Sequence, residues 1–193
     1  MKTEIAALDF KRMEQPEFSH AEAVEILGVT GNTLLTWNKR GFTLRVVLFG
    51  TEPVSPKSKP GRGNHRRYSV SDLIYLHLFR KMTVYLGQVE AARMALSCVP
   101  LVLAQFQMTF ATETANELDE TDCGAYLVFE QGDGHAMQFI APNSEKGRMA
   151  DPNLLSKWFR ESGDDSVAVI SIYWVALNLF SRMADVRAAR QAK

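Results

Sequence analysis

The sequence predicts an α+β fold in two parts of different character, residues 18–96 and residues 97–193, behind a tail at 1–17. Three observations predict it. Two short helical patterns over residues 19–41 are each opened by a hydroxyl cap and closed by a glycine. Residues 50–64, with three Pro and three Gly, then separate two stretches rich in strand formers. In the second half, Gly132-Asp133-Gly134 stands between two strand-like segments, and an amphipathic helical pattern closes the chain.

A chain of 193 residues, 46% hydrophobic, can bury a real core as one domain or two small ones. Its formal net charge is +0, but residues 1–94 hold 14 Lys+Arg against 9 Asp+Glu, leaving 8 against 13 for residues 95–193. A first half at +5 and a second at −5 implies that one half meets a polyanion while the other does something else. Cys98 and Cys123 make no disulfide framework, which favours a reducing compartment. The first residues carry charge throughout and no apolar core of a signal peptide. Residues 167–180 are apolar but fewer than the roughly 20 that a spanning helix needs. The cytoplasm is the expected compartment.

In the first half, Ser19 with Glu22 three positions on reads as a capping box opening a helix whose apolar positions include Val24 and Leu27. Gly28 stops it. Thr30 caps a second helix carrying Leu34, Leu35 and Trp37, and Gly41 ends that one. Two short helices joined by a tight glycine turn are the signature of a helix-turn-helix. Residues 43–49 then read as a strand and residues 65–69 as its return, a β-hairpin with a long basic tip, in other words a wing. Ser69 or Ser71 caps a third helix with Asp72 in its first turn. A break follows near Gly87, then a fourth helix that Pro100 is expected to stop.

In the second half, residues 101–110 fit either a strand or a short helix. An acidic stretch follows, then the Gly-Asp-Gly hairpin. Pro152 opens a helix over residues 153–162, residues 166–175 read as a buried strand, and residues 176–193 as the closing helix.

The order of elements in the first half resembles the MerR family of winged helix-turn-helix regulators. Residues 23–30 match its first helix and turn; Thr33-Leu34 and Lys39-Arg40-Gly41-Phe42 match the second helix and its exit. Arg66-Arg67-Tyr68-Ser69 with Asp72-Leu73 match the step into the third helix, and Leu86-Gly87 the step into the fourth. The likeness covers about residues 18–94 and implies a sequence-specific double-stranded DNA-binding transcriptional regulator. Three departures stand beside it. Leu35-Thr36-Trp37 replaces the family's usual Arg-Tyr-Tyr, the wing is longer, and Pro100 interrupts the long dimerisation helix.

DNA binding needs cations for phosphates and donors or acceptors for base edges. Lys57, Lys59, Arg62, His65, Arg66 and Arg67 make the expected wing basic, suited to the backbone or the minor groove. On the second helix, Thr30, Asn32, Thr33 and Thr36 sit where a recognition helix meets the major groove, and Lys39 and Arg40 suit phosphates. Asn32 can pair with adenine or serve as a second cap, and Tyr68 can reach a phosphate or pack. Trp37, at helical spacing from Leu34, is expected in the core.

No catalytic constellation stands out, so no enzyme is expected, and neither a cofactor nor a metal site is. Cys98, Cys123 and His135 match no zinc spacing, and no Lys-Ser or Lys-Thr follows Gly132-Asp133-Gly134 as a phosphate loop would require. The expected partners are double-stranded DNA and a second copy of the chain; the acidic half is a candidate contact for RNA polymerase or another protein. Trp174 and Phe180 belong to a core, a dimer interface or a pocket wall. The alternative reading is a phage-type excisionase or architectural DNA-binding accessory protein.

Overall fold

A computed structural model describes residues 13–43, 66–111, 126–130, 136–140 and 167–192. The elements run α1 (His20–Leu27), α2 (Gly31–Lys39), α3 (Val70–Met82), α4 (Gln88–Ala111), β1 (Tyr126–Glu130), β2 (Ala136–Ile140), β3 (Val167–Ser171) and α5 (Ile172–Gln191). The chain divides into two compact units. One is Ala6–Pro100 with Asn178–Lys193, the other Met1–Ile5 with Leu101–Leu177.

These findings correct the α+β class with its winged hairpin. The described residues are mainly helical, and strands are confined to three five-residue segments. In the unit that holds α1 to α3, the described residues show only an isolated antiparallel bridge, Phe18 with Tyr68. Tyr68 N–H donates to the Phe18 carbonyl at 2.8 Å, and the Phe18 and Glu17 amides donate back to the Tyr68 carbonyl, each at 2.9 Å. The segment expected to return from a wing thus pairs with the approach to α1. Of the strand expected at residues 43–49, Thr43 lies in a turn and the rest, with the tip, lies outside the described residues, as do the helix at 153–162 and the Gly132-Asp133-Gly134 turn.

Local chemistry explains the helix ends. Ser19 caps α1: its side chain accepts from the Glu22 amide, while Glu22 Oε2 accepts from Ser19 N–H at 2.7 Å. Gly28, at φ 60°, makes the left-handed exit. Its N–H donates to the Glu25 carbonyl and Val29 N–H to the Val24 carbonyl, each at 3.2 Å, which is the Schellman pattern. The same pattern ends α2, where Gly41 (φ 79°) donates to Asn38 and Phe42 to Trp37. Ser69 and Asp72 form a second capping box on α3.

Helix α3 is buried on every side from Val70 to Phe79, as suits the central element of a small helical core. Phe79, fully buried, meets Trp37 edge-on at 5.3 Å and stacks with Phe42 at 5.1 Å between ring centroids. Leu179, Met183 and Val186 of α5, at spacings of four and three, form a buried stripe in this same unit.

Helix α4 does not stop at Pro100. A proline inside a helix leaves the carbonyl four residues earlier without its amide partner. Here that carbonyl belongs to Leu96, and both Leu96 and Pro100 are exposed, so water can take the vacant place. Cys98, Val99, Val102 and Leu103 are buried around it, and their packing offsets the lost bond. Replacing Pro100 with Ala is expected to raise unfolding free energy by about 2 kcal/mol, measured as a higher urea midpoint with an unchanged slope. No gain would mean that the helix is broken there in solution.

In the other unit the three strands form an antiparallel sheet in the order β2-β1-β3. Glu130 faces Ala136 and Tyr126 faces Ile140, the register of the hairpin expected around residues 132–134; Tyr126 also faces Ser171 and Glu130 faces Val167. Strand β3 ends at Ser171, and residues 172–175, expected to extend it, begin α5 instead. Residues 101–110, open to either structure, are helical.

Candidate nucleic-acid interface

Helices α1 and α2 are joined at Gly28 as a helix-turn-helix requires, and their connection is held from outside by two arginines. The turn itself serves the Val24 and Glu25 carbonyls, leaving those of residues 26–28. Arg80 Nη1 donates to the Leu27 carbonyl at 2.6 Å and to that of Gly28 at 3.1 Å, and Arg182 Nη1 donates to that of Ile26 at 3.1 Å. Guanidinium groups at a helix C-terminus also complement its dipole. A Cβ at Gly28 would stand 2.9 Å from Arg182 Nη1, the movable end of a long side chain, so it is the positive φ that requires glycine.

On α2, Leu34 and Trp37 face inward and are buried. Asn32, Leu35, Thr36 and Lys39, at spacings i, i+3, i+4 and i+7, form one exposed stripe, and Arg40 is exposed at the helix end. Thr30 is the N-cap, accepting from Thr33 N–H at 3.1 Å, and the two hydroxyls lie 2.8 Å apart. Thr36 donates its hydroxyl to the Asn32 carbonyl at 2.8 Å. Arg40 Nη1 donates to Gln88 Oε1 at 3.0 Å, which fixes this cation beside the start of α4.

Arg66 and Arg67 are both exposed, and the Arg66 guanidinium lies over the Tyr68 ring at 5.6 Å. Tyr68 itself is 1% exposed. Its hydroxyl accepts from Asn38 Nδ2 at 3.0 Å and lies 3.4 Å from His20 Nδ1, while Thr43 donates to Asn38 Oδ1. Burial pushes the Tyr68 phenol above its ordinary value, so the hydroxyl stays protonated. Lys57, Lys59, Arg62 and His65 lie outside the described residues. The structure therefore gathers Asn32, Thr33, Thr36 and Lys39 on α2 with Thr30 and Arg40 at its ends, ties Tyr68 to that helix through Asn38, and lays Arg66 over the Tyr68 ring.

The largest feature that sequence reasoning missed is a clamp from the last helix. Arg187 pairs with Glu17 through two contacts of 2.7 Å, and Arg190 holds Glu22 from Nε at 2.5 Å and Nη2 at 2.8 Å. Both guanidinium groups also lie over the Phe18 ring, at 5.4 and 5.2 Å. The Arg190 hydrogen bonds hold the Glu22 carboxyl down at about 2. Only the basic end of the closing helix hinted at this, because the partners lie some 170 residues apart in sequence.

Among the described residues, no group of three or more His, Cys, Asp or Glu is placed to hold a metal ion. Cys98 is fully buried, and burial pushes its thiol up to about 11. Among the same residues no helix is long and apolar enough to cross a membrane. Trp174 is 45% exposed, so its ring is not fully taken up by a core. No family model matches the chain, and no curated protein is similar enough to count as a relative.

Proposed function

We propose that the chain binds double-stranded DNA through its helix-turn-helix, with α2 in the major groove, and acts as a sequence-specific transcriptional regulator. The observation that carries this reading is the exposed stripe Asn32-Leu35-Thr36-Lys39 on a helix whose other side is locked into the core by Leu34 and Trp37. Asn32 offers the amide that pairs with adenine, Leu35 an apolar contact for a thymine methyl group, and Lys39 and Arg40 the cations for flanking phosphates. The +5 balance of residues 1–94, with Arg66 and Arg67 exposed, supplies the long-range attraction. One such helix reads few base pairs, so the reading includes a two-fold dimer on a pseudo-palindromic site.

The test is an anisotropy titration on genomic fragments at two salt concentrations with competitor DNA. Discrete fragments retained at moderate salt are the expected result. Weak binding to every fragment, abolished by salt, would instead favour an architectural accessory protein, and no binding would sink the reading. Replacing Arg66 and Arg67 together with Ala is expected to weaken binding to all sequences and to lower the salt slope by roughly 1–2. Asn32→Ala is expected to change the preference among sequences and leave that slope alone.

A further inference from the structure

The Tyr68 hydroxyl stands where four pieces of chain meet. Asn38 is the penultimate residue of α2, Thr43 follows its exit turn, and His20 opens α1. The backbone of Tyr68 pairs with Phe18 at the entrance to α1, and its ring carries the guanidinium of Arg66. Asn38 spends both ends of its amide here, donating to Tyr68 and accepting from Thr43. All of this lies at a side chain that is 1% exposed, beside a Thr43 that is 4% exposed. A buried, satisfied polar network of this kind fixes orientation more than it adds stability.

We propose, resting on the DNA-binding reading above, that Tyr68 is a positioning residue: its hydroxyl sets the angle between the reading face of α2 and the Arg66-Arg67 pair. Tyr68 does not touch DNA in this assignment. It holds Asn38 from one side of its ring plane edge while Arg66 rests on the ring itself, so one side chain fixes base-reading and phosphate-binding groups relative to each other. Groups aimed together favour the correct site over others, whereas the same groups loosely held bind any duplex about equally well.

The test is Tyr68→Phe in the full chain, which keeps the ring, the Arg66 contact and every charge. Affinity for the preferred fragment is expected to fall roughly three- to tenfold, the range of one hydrogen bond. Binding to random duplex and its salt slope are expected to stay the same. A merely structural role would lower both together, through loss of folded protein. Thr43→Val is expected to repeat the loss and Thr43→Ser, which keeps the hydroxyl, to restore binding. Equal specific affinity in Tyr68→Phe and the parent chain would overturn the proposal.

A DNA-free measurement separates this proposal from the reading it rests on. Amide exchange at Arg40, Gly41 and Phe42, whose N–H groups bond back to Thr36, Asn38 and Trp37, is expected to quicken severalfold in Tyr68→Phe. Exchange at Leu73, at the start of α3, is expected not to change. If the parent chain binds no DNA, the functional reading falls and the anchoring is judged by exchange alone. Unchanged rates at those three amides would overturn the anchoring even if DNA binding is found.

Discussion

Truncating Phe79 to Ala is expected to cost about 3–5 kcal/mol of unfolding free energy, a large share of what a domain of this size commands. Phe79 is fully buried and touches three aromatic rings: Trp37 at 5.3 Å, Phe42 at 5.1 Å and Tyr75 at 6.2 Å. Trp37 belongs to α2 and Phe42 to its exit, so this ring fastens the candidate reading helix to the central helix α3. The loss combines lost transfer energy, a cavity and lost edge-on and stacked ring contacts. Urea unfolding followed by tryptophan fluorescence checks it. Phe79→Leu should lose distinctly less. A loss below about 1 kcal/mol for Ala would mean that the cavity collapses and that Trp37 is held by something else.

The second large effect is acid lability centred on His77. This side chain is 8% exposed, and its Nδ1 has no hydrogen-bond partner among the described residues. Burial first, and then the charges of Lys81, Arg80 and Arg182, lower its pKa from 6.5 to about 4. The unfolded chain therefore takes up this proton before the folded one does. Stability is complete above pH 6.5 and is lost as the pH falls towards 4, by up to about 3 kcal/mol. His77→Gln cannot titrate, so its stability is expected to stay level over that interval. Glu22 acts lower down: its depressed carboxyl contributes stability above pH 4.5, lost as the pH falls through 2. Urea midpoints at pH 7, 5 and 3 separate the two windows. A parent chain as level as His77→Gln between pH 7 and 5 would show that His77 titrates normally.

What could be read from the sequence was set by distance along the chain. Ser19 with Glu22, Thr30, Gly28, Gly41 and Ser69 with Asp72 act within a few residues of themselves, and each helix end appears where these residues place it. The inward set of Leu34 and Trp37 follows from helical spacing alone, and so does the outward set of Asn32 and Thr36. Pro100 was misleading because the local rule counts only the broken hydrogen bond and not the burial of Cys98, Val99 and Val102 beside it. Residues 172–175 continue the apolar run of a buried strand, yet they are helical, since short apolar runs suit both structures. Tyr68 offered a reachable hydroxyl on paper. Its partners Asn38 and His20 lie 30 and 48 residues away, beyond any local pattern. The pairing of Phe18 with Tyr68 is hidden for the same reason.

The clamp of Arg187 and Arg190 on Glu17, Phe18 and Glu22 also bears on how the protein is made. Contacts that span about 170 residues close late, because the intervening chain must first be synthesised and its ends brought together. Residues 13–100 emerge from the ribosome with two carboxylates and one face of Phe18 still uncovered. Roughly ten seconds of further translation pass before α5 can reach them. During that interval the Glu17 and Glu22 carboxylates and the open face of Phe18 face solvent and chaperones. Closure of the clamp then ties the start of α1 to the last turns of α5.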